Sequence, residues 1–169
     1  ETVELPVFAS YDSAGINEIM SAIESAECIS FELVDGLDSI ELFDGKKLYR
    51  AQFAGSGESY NDFLKTLFSP EKKKIAHNVK NIMNVLMAEG LSTEGFIFDT
   101  ALAAYLLDSN SNDYGLEKIC LKYLGSAYKG CRAVFELYPV LDMELKNKGM
   151  EELYYKIELP LCAVLSEME

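Results

Sequence analysis

Two Asp-Gly dipeptides, Asp35-Gly36 and Asp44-Gly45, divide the first third of this 169-residue chain into short stretches of strand chemistry. Asp-Gly between apolar runs is among the strongest short-range hairpin signals, because glycine accepts the positive φ that a tight turn needs and aspartate bonds its own backbone. The stretches Glu27 to Val34, Ser39 to Phe43 and Lys47 to Phe53 therefore fold as a three-strand antiparallel meander. Asp35, Asp38 and Asp44 are turn residues on this reading. Their spacing is not that of a calcium loop.

Helical periodicity surrounds the meander. Asp12 and Ser13 offer N-caps for a helix reaching Ala26, with Ile16, Ile19, Met20 and Ile23 on one face. Glu58 to Phe68 repeats the pattern until Ser69-Pro70 stops it. Next come a short buried strand at Lys74 to His77, a helix from Val79 to Glu89 closed by Gly90, and a strand at Gly95 to Phe98. The remainder reads as helices at Thr100 to Leu107, Tyr114 to Leu124, about Ala127 to Lys148, and Glu151 to Met168. The expected fold is α/β: a mixed sheet, made of the meander and two further strands, flanked by helices, with a helical C-terminal half.

Composition restricts the function classes. No apolar run approaches the roughly 20 residues that span a bilayer, and no Lys or Arg occurs in the first 30 residues, so neither a membrane span nor a secretory signal is expected. The expectation is a cytoplasmic monomer. Cys28, Cys120, Cys131 and Cys162 are scattered, and His77 is the lone histidine, a pattern that suits buried thiols rather than a zinc ligand set. The formal charge is -13, and eleven of the acidic residues fall in the first 45 positions, which carry no basic group. That half would repel a phosphate backbone. Lys46, Lys47 and Arg50, and Lys72 to Lys74, form two local basic clusters, the second read as a solvated loop.

The motifs in the second half carry a resemblance. FDTALAAYLLD after a short strand, YGLEKICLKYLG after a loop, and the terminal IELPLCAVLSEME, in that order, resemble the 3'-5' exonuclease domain of bacterial DNA polymerase I and the helix that joins it to the polymerase. Ribonuclease D is a relative with the same exonuclease core. The resemblance implies a ribonuclease H-like fold, with residues 1–150 as the exonuclease-like domain and 151–169 as the start of the connecting helix. The apolar stripe Leu153, Ile157, Leu161, Val164, Leu165 and Met168 is still in phase at the end of the chain, which is expected to continue past Glu169; Pro160 should bend or divide this helix.

Active members of that group hold two divalent ions with four carboxylates, one ion activating water and the other stabilising the leaving oxygen. The resemblance places the first pair, FDxE, on Phe31-Glu32-Leu33-Val34, so Glu32 keeps an oxygen ligand while Val34 replaces the second. The third, in an NLKYD pattern, falls on Ile82 within Asn78-Val79-Lys80-Asn81-Ile82. The fourth, in YxxxD, falls on Gly130, or on Arg132 after a one-residue gap. The stretch between Gly125 and Tyr128 is also shorter than in active members. Glu32 is then the one plausible metal-ligand remnant, and no catalytic residue or cofactor is expected in this domain.

The expected role is a catalytically inactive platform for the polymerase domain of the same parent chain, with DNA reached through the parent. Two alternatives remain open at this level. Glu32 with Asp35 or Asp99 could hold a single Mg or Mn ion for slow exonuclease activity. Alternatively, the two basic clusters could make a non-catalytic nucleic-acid-binding module. Asp99 is read first as the cap of the helix starting at Thr100 and His77 as a strand-end residue. Gly55-Ser56-Gly57 lacks a phosphate-loop lysine and reads as a linker. Tyr105, Tyr114, Tyr123, Tyr138, Tyr154 and Tyr155 are expected to pack with their hydroxyls at the edge of the core.

Overall fold

Both Asp-Gly turns form as expected. Gly36 and Gly45 have positive φ, of 53° and 99°. Asp44 accepts from the backbone N–H groups of Lys46 and Lys47 at 2.8 Å each. They join β2 (Cys28–Leu33), β3 (Ser39–Phe43) and β4 (Leu48–Gln52) into an antiparallel meander in which Glu32 faces Glu41 and Glu41 faces Arg50. The computed structural model describes residues 8–10, 13–53, 58–125 and 130–168, so Ala54 to Gly57 and Ser126 to Lys129 lie outside the described residues.

The sheet is wider than the sequence suggests. A short β1 (Phe8–Ser10), which the sequence pattern did not flag, pairs in parallel with β4. On the other side β5 (Lys73–Ala76) adds in parallel to β2, and β6 (Phe96–Asp99) adds in parallel to β5. The order is β1-β4-β3-β2-β5-β6, a mixed ribonuclease H-like sheet.

Each face of the sheet is covered by its own core. One holds Ile29, Phe31 and Ile40 against Ile16, Ile19 and Ile23 of α1 (Ser13–Ser25), Phe63 and Leu67 of α2 (Glu58–Leu67), and Val79 and Leu86 of α3 (Val79–Ala88). The other packs Ile75 and Phe98 against α4 (Thr100–Leu107), α5 (Leu116–Leu124) and α6 (Cys131–Asn147), whose Leu137, Leu141 and Leu145 are fully buried. Alternation along β2 sets this division: Ile29 and Phe31 turn to the first core, while Ser30 reaches the start of α6, its hydroxyl donating to the Cys131 carbonyl at 2.5 Å.

Pro160 acts as expected, by a specific route. Residues Leu153–Glu158 wind as a π-helix before α7 (Leu159–Met168), and the Leu159 N–H reaches back to the Tyr154 carbonyl. The wider turn takes up the helix break where proline has no N–H to give. Among the described residues, no helix is long and apolar enough to cross a membrane.

The Lys72 to Lys74 cluster is not the solvated loop its charge suggested. Lys74 is fully buried inside β5, and its ammonium donates to the carbonyls of Lys72 at 2.7 Å and Ser69 at 3.0 Å, with the Phe96 ring 5.4 Å away. Burial, followed by the Lys72 charge, pushes its pKa down to about 8. Lys72 itself donates to the Ala26 carbonyl at 2.7 Å. Gly95 makes this packing possible. Its φ is +91°, and a Cβ there would lie 2.4 Å from the Lys72 carbonyl and 2.6 Å from the Lys74 ammonium. Gly95→Ala should therefore cost about 2–4 kcal/mol, from positive φ plus overpacking, measured by urea unfolding.

Candidate functional site

The sheet and α3 enclose a cleft of about 360 Å³ above the C-terminal end of β2. Glu32 enters it from β2, Ile82 and Val85 from successive turns of α3, Val134 from α6 and Leu116 from α5, with His77, Asn78 and Asn81 along the rim. Two of the positions singled out from the sequence, Glu32 and Ile82, thus meet across one cavity. Val34 does not line it: it follows the end of β2, 48% exposed, with its N–H donating to the Ser39 carbonyl at 2.8 Å.

Gly130 and Arg132 also lie off the cleft wall. Gly130 precedes the first turn of α6 with φ 87°. Arg132 pairs with Glu136 at 3.6 Å and stands over the Phe43 ring at 5.5 Å. The α6 side chain that lines the cavity is Val134, one turn beyond Gly130. Sequence reasoning missed it, although i to i+4 spacing from Gly130 was the available signal.

Glu32 faces another carboxylate, Glu41, on β3. Glu41 is itself engaged by Arg50, whose Nε donates at 3.0 Å. Partial burial in the cleft wall, followed by the Glu41 charge, holds the Glu32 carboxyl above the ordinary glutamate range. A bound cation would pull that value down. Among the described residues, no three His, Cys, Asp or Glu side chains come together where they could hold a metal ion. A two-ion centre needs several hard oxygen donors, and Glu32 between Ile82, Val85 and Val134 does not fit one.

Asp99, 4% exposed, lines a neighbouring cavity that shares Asn78 and Asn81 with this cleft. It caps α4 as expected, accepting from the N–H groups of Ala101 at 2.9 Å and Leu102 at 3.4 Å. The same carboxylate also accepts from Asn78 and Val79 at 3.0 Å each, so it caps α3 as well. Asn78, left-handed at φ 66°, gives α3 no side-chain cap of its own. The Tyr154 hydroxyl donates to the Asp99 carbonyl at 2.9 Å and accepts from the Asp99 N–H at 2.7 Å. Burial raises the Asp99 carboxyl, and the amides of Val79, Asn78 and Leu102, together with His77, oppose that shift. With both oxygens held by the backbone, Asp99 is poorly placed to share a metal with Glu32.

His77 follows β5 at the cleft rim, half-buried, with Nδ1 and the Thr100 hydroxyl 2.8 Å apart; burial pushes its pKa down, against the Asp99 charge. Cys120, Cys131 and Cys162 are buried and Cys28 half-buried, and burial raises the Cys162 thiol to about 11. Burial of the thiol disfavours the reactive thiolate.

The sequence profile of the DNA polymerase I, ribonuclease H-like domain, matches residues 36–129. The chain belongs to this family. DNA polymerase I of Mycobacterium tuberculosis is 29% identical over 130 residues, covering 61% of this chain and 14% of the relative. That of Bacillus subtilis is 28% identical over 136 residues, covering 63% and 15%. The chain thus spans about a seventh of the length of the curated relatives it matches.

Among solved structures, the polymerase domain of Pol1 from M. smegmatis in complex with DNA primer-template and dNTP aligns at a TM-score of 0.82, with 20% identity, over 95% of this chain and 31% of that one. Escherichia coli RNase D, an exoribonuclease, aligns at 0.72 with 16% identity, over 96% and 51%. At these identities the structural matches establish the fold, which is the one expected.

Within this DNA polymerase I domain, the tyrosines largely pack as expected. Tyr154 is fully buried, Tyr114 donates to the Asp108 carbonyl at 2.6 Å and Tyr155 to the Asp142 carboxylate at 2.6 Å, while Tyr105 is exposed.

Two substitutions separate the clamp from the cleft. Asp99→Asn replaces an acceptor with a donor facing buried amides and should cost about 3 kcal/mol, read from urea unfolding. Glu32→Gln should instead stabilise the fold at neutral pH, by no more than about 1 kcal/mol because the side chain is partly solvated. A raised carboxyl destabilises the native state once it ionises. The gain should therefore vanish as pH falls below the ordinary glutamate range, as thermal melts across pH would record.

Proposed function

We propose that this domain is a catalytically silent member of the 3'-5' exonuclease-type domains of DNA polymerase I, serving as a structural platform for the polymerase module during DNA replication and repair. One observation carries the reading: the cleft in which the fold's ligands would converge presents a single carboxylate, Glu32, against the aliphatic side chains of Ile82, Val85 and Val134. Water activation at a metal centre depends on an ion held at fixed geometry. One partly solvated glutamate provides neither the ligand number nor the geometry.

Other features support the same reading. Asp99, one of the alternative ligands read from the sequence, has both carboxylate oxygens accepting backbone N–H groups. Of the second basic cluster, Lys74 is buried and Lys72 is tied to a backbone carbonyl, which weakens the case for a nucleic-acid-binding module there. The family supports the platform role, since the chain matches only about a seventh of the length of its relatives.

Manganese calorimetry together with digestion of single-stranded DNA tests this. No saturable manganese binding and no digestion above a metal-free control is the expected result. Digestion that disappears in Glu32→Ala would overturn the silent reading in favour of a weak single-metal exonuclease.

A further inference from the structure

Tyr154 fixes the rotation at which the last helix starts, since its buried hydroxyl bonds both the N–H and the carbonyl of Asp99. An α-helix running on from Tyr154 returns to the same face at Glu158, Leu161 and Leu165. The structure instead buries the next residue each time: Leu159, Cys162 and Ser166. This offset arises in the π-turn of Leu153–Glu158, where the Leu159 N–H bonds the carbonyl of Tyr154 rather than that of Tyr155. Every side chain beyond the turn is displaced by one position, roughly 100° around the helix axis.

The register adopted does not follow the apolar pattern. It sets a thiol and a hydroxyl against the core and leaves Leu161 and Leu165 38% and 40% exposed. Two local features hold it there. In a regular helix Pro160 collides with the carbonyl of Lys156, and the wider π-turn relieves that contact. If the turn closed, Glu158 would take the buried place of Leu159, where a carboxylate is costly.

The surroundings of the helix match a rotation between the two registers. On the flank that carries Leu161 and Leu165, a cavity of about 310 Å³ opens beside Leu102 and Tyr105 of α4. On the other flank, Ser166 and Glu167 line a second cavity with Asn84 and Met87 of α3. There the Asn84 Oδ1 is buried without a hydrogen-bond partner among the described residues. It lies on the side toward which the Ser166 hydroxyl would turn.

We propose that the terminal helix is a two-register switch, in which closing the π-turn rotates α7 by one residue and exchanges buried Leu159, Cys162 and Ser166 for Glu158, Leu161 and Leu165. Ser166 then releases the Lys80 carbonyl, to which it now donates at 3.1 Å. Tyr154 precedes the rotation and keeps its bonds to Asp99, so α3 and α4 stay capped. Packed interfaces hold discrete arrangements rather than sliding continuously, so the helix occupies one register or the other.

The test reads the register by cysteine protection in the intact 169-residue chain. Leu165→Cys and Ser166→Cys are made singly with Cys162→Ala, and iodoacetamide labelling is followed by mass spectrometry on the tryptic peptide that begins at Ile157. Leu165→Cys should react about tenfold faster than Ser166→Cys in this background, because a buried thiol reacts only through local opening. Pro160→Ala with Glu158→Leu removes both obstacles and should reverse the order, as Ser166→Cys moves to the exposed place of Glu167. Pro160→Ala alone leaves the buried face untouched and should already narrow the ratio by about threefold. Unchanged far-UV circular dichroism and a single cooperative melt confirm that each variant is folded. A ratio that stays the same in both variants would overturn the proposal. So would equal, fast labelling of both cysteines, which would mean that the helix detaches instead of rotating.

Discussion

A single buried residue, Asp99, holds three parts of this molecule in place. Asp99 ends β6, and its oxygens accept the first amides of α4 together with those at the start of α3. The first turn of any helix leaves N–H groups without partners, and inside a protein such groups are costly. Here two helix starts share one acceptor. The Tyr154 hydroxyl closes on the backbone of the same residue and brings the terminal helix to the same point. The cleft wall formed by α3, the second core under α4 and the position of the last helix all refer to this one residue, the first two through its side chain and the last through its backbone.

That arrangement separates the scaffold of the fold from the lining of its cleft. The clamp lies beside the cleft and uses the backbone, so it does not depend on what the cleft wall presents. Aliphatic side chains at Ile82, Val85 and Val134 can occupy the wall without disturbing the capping of α3 or the packing of α4. The scaffold aligns with a solved structure over 95% of the chain, while the cleft presents one carboxylate, Glu32, among aliphatic side chains.

Different parts of the structure were legible to different degrees. Asp-Gly turns and alternating strands gave the meander, because turn and strand preferences are local. Asp99 was readable as the cap of α4, three residues away at most, but its bonds to Asn78 and Val79 cross 21 and 20 residues. Lys74 misled for a related reason: a lysine beside two others reads as solvated, and only the approach of Gly95 and the carbonyls of Ser69 and Lys72 gives its ammonium a buried place. Val134 escaped because the start of α6 could not be fixed from the preceding loop, so the register of that helix on the cleft was open.

The sequence by itself determined most of the helices and strands, the meander, the family and the absence of carboxylates at Val34 and Ile82, since each is written in local pattern or in residue identity. Only the tertiary structure decided which side chains share the cleft, that one aspartate caps two helices, and that a lysine is buried. Those outcomes depend on groups far apart in the chain, and their partners are chosen by packing, which no short stretch of sequence contains.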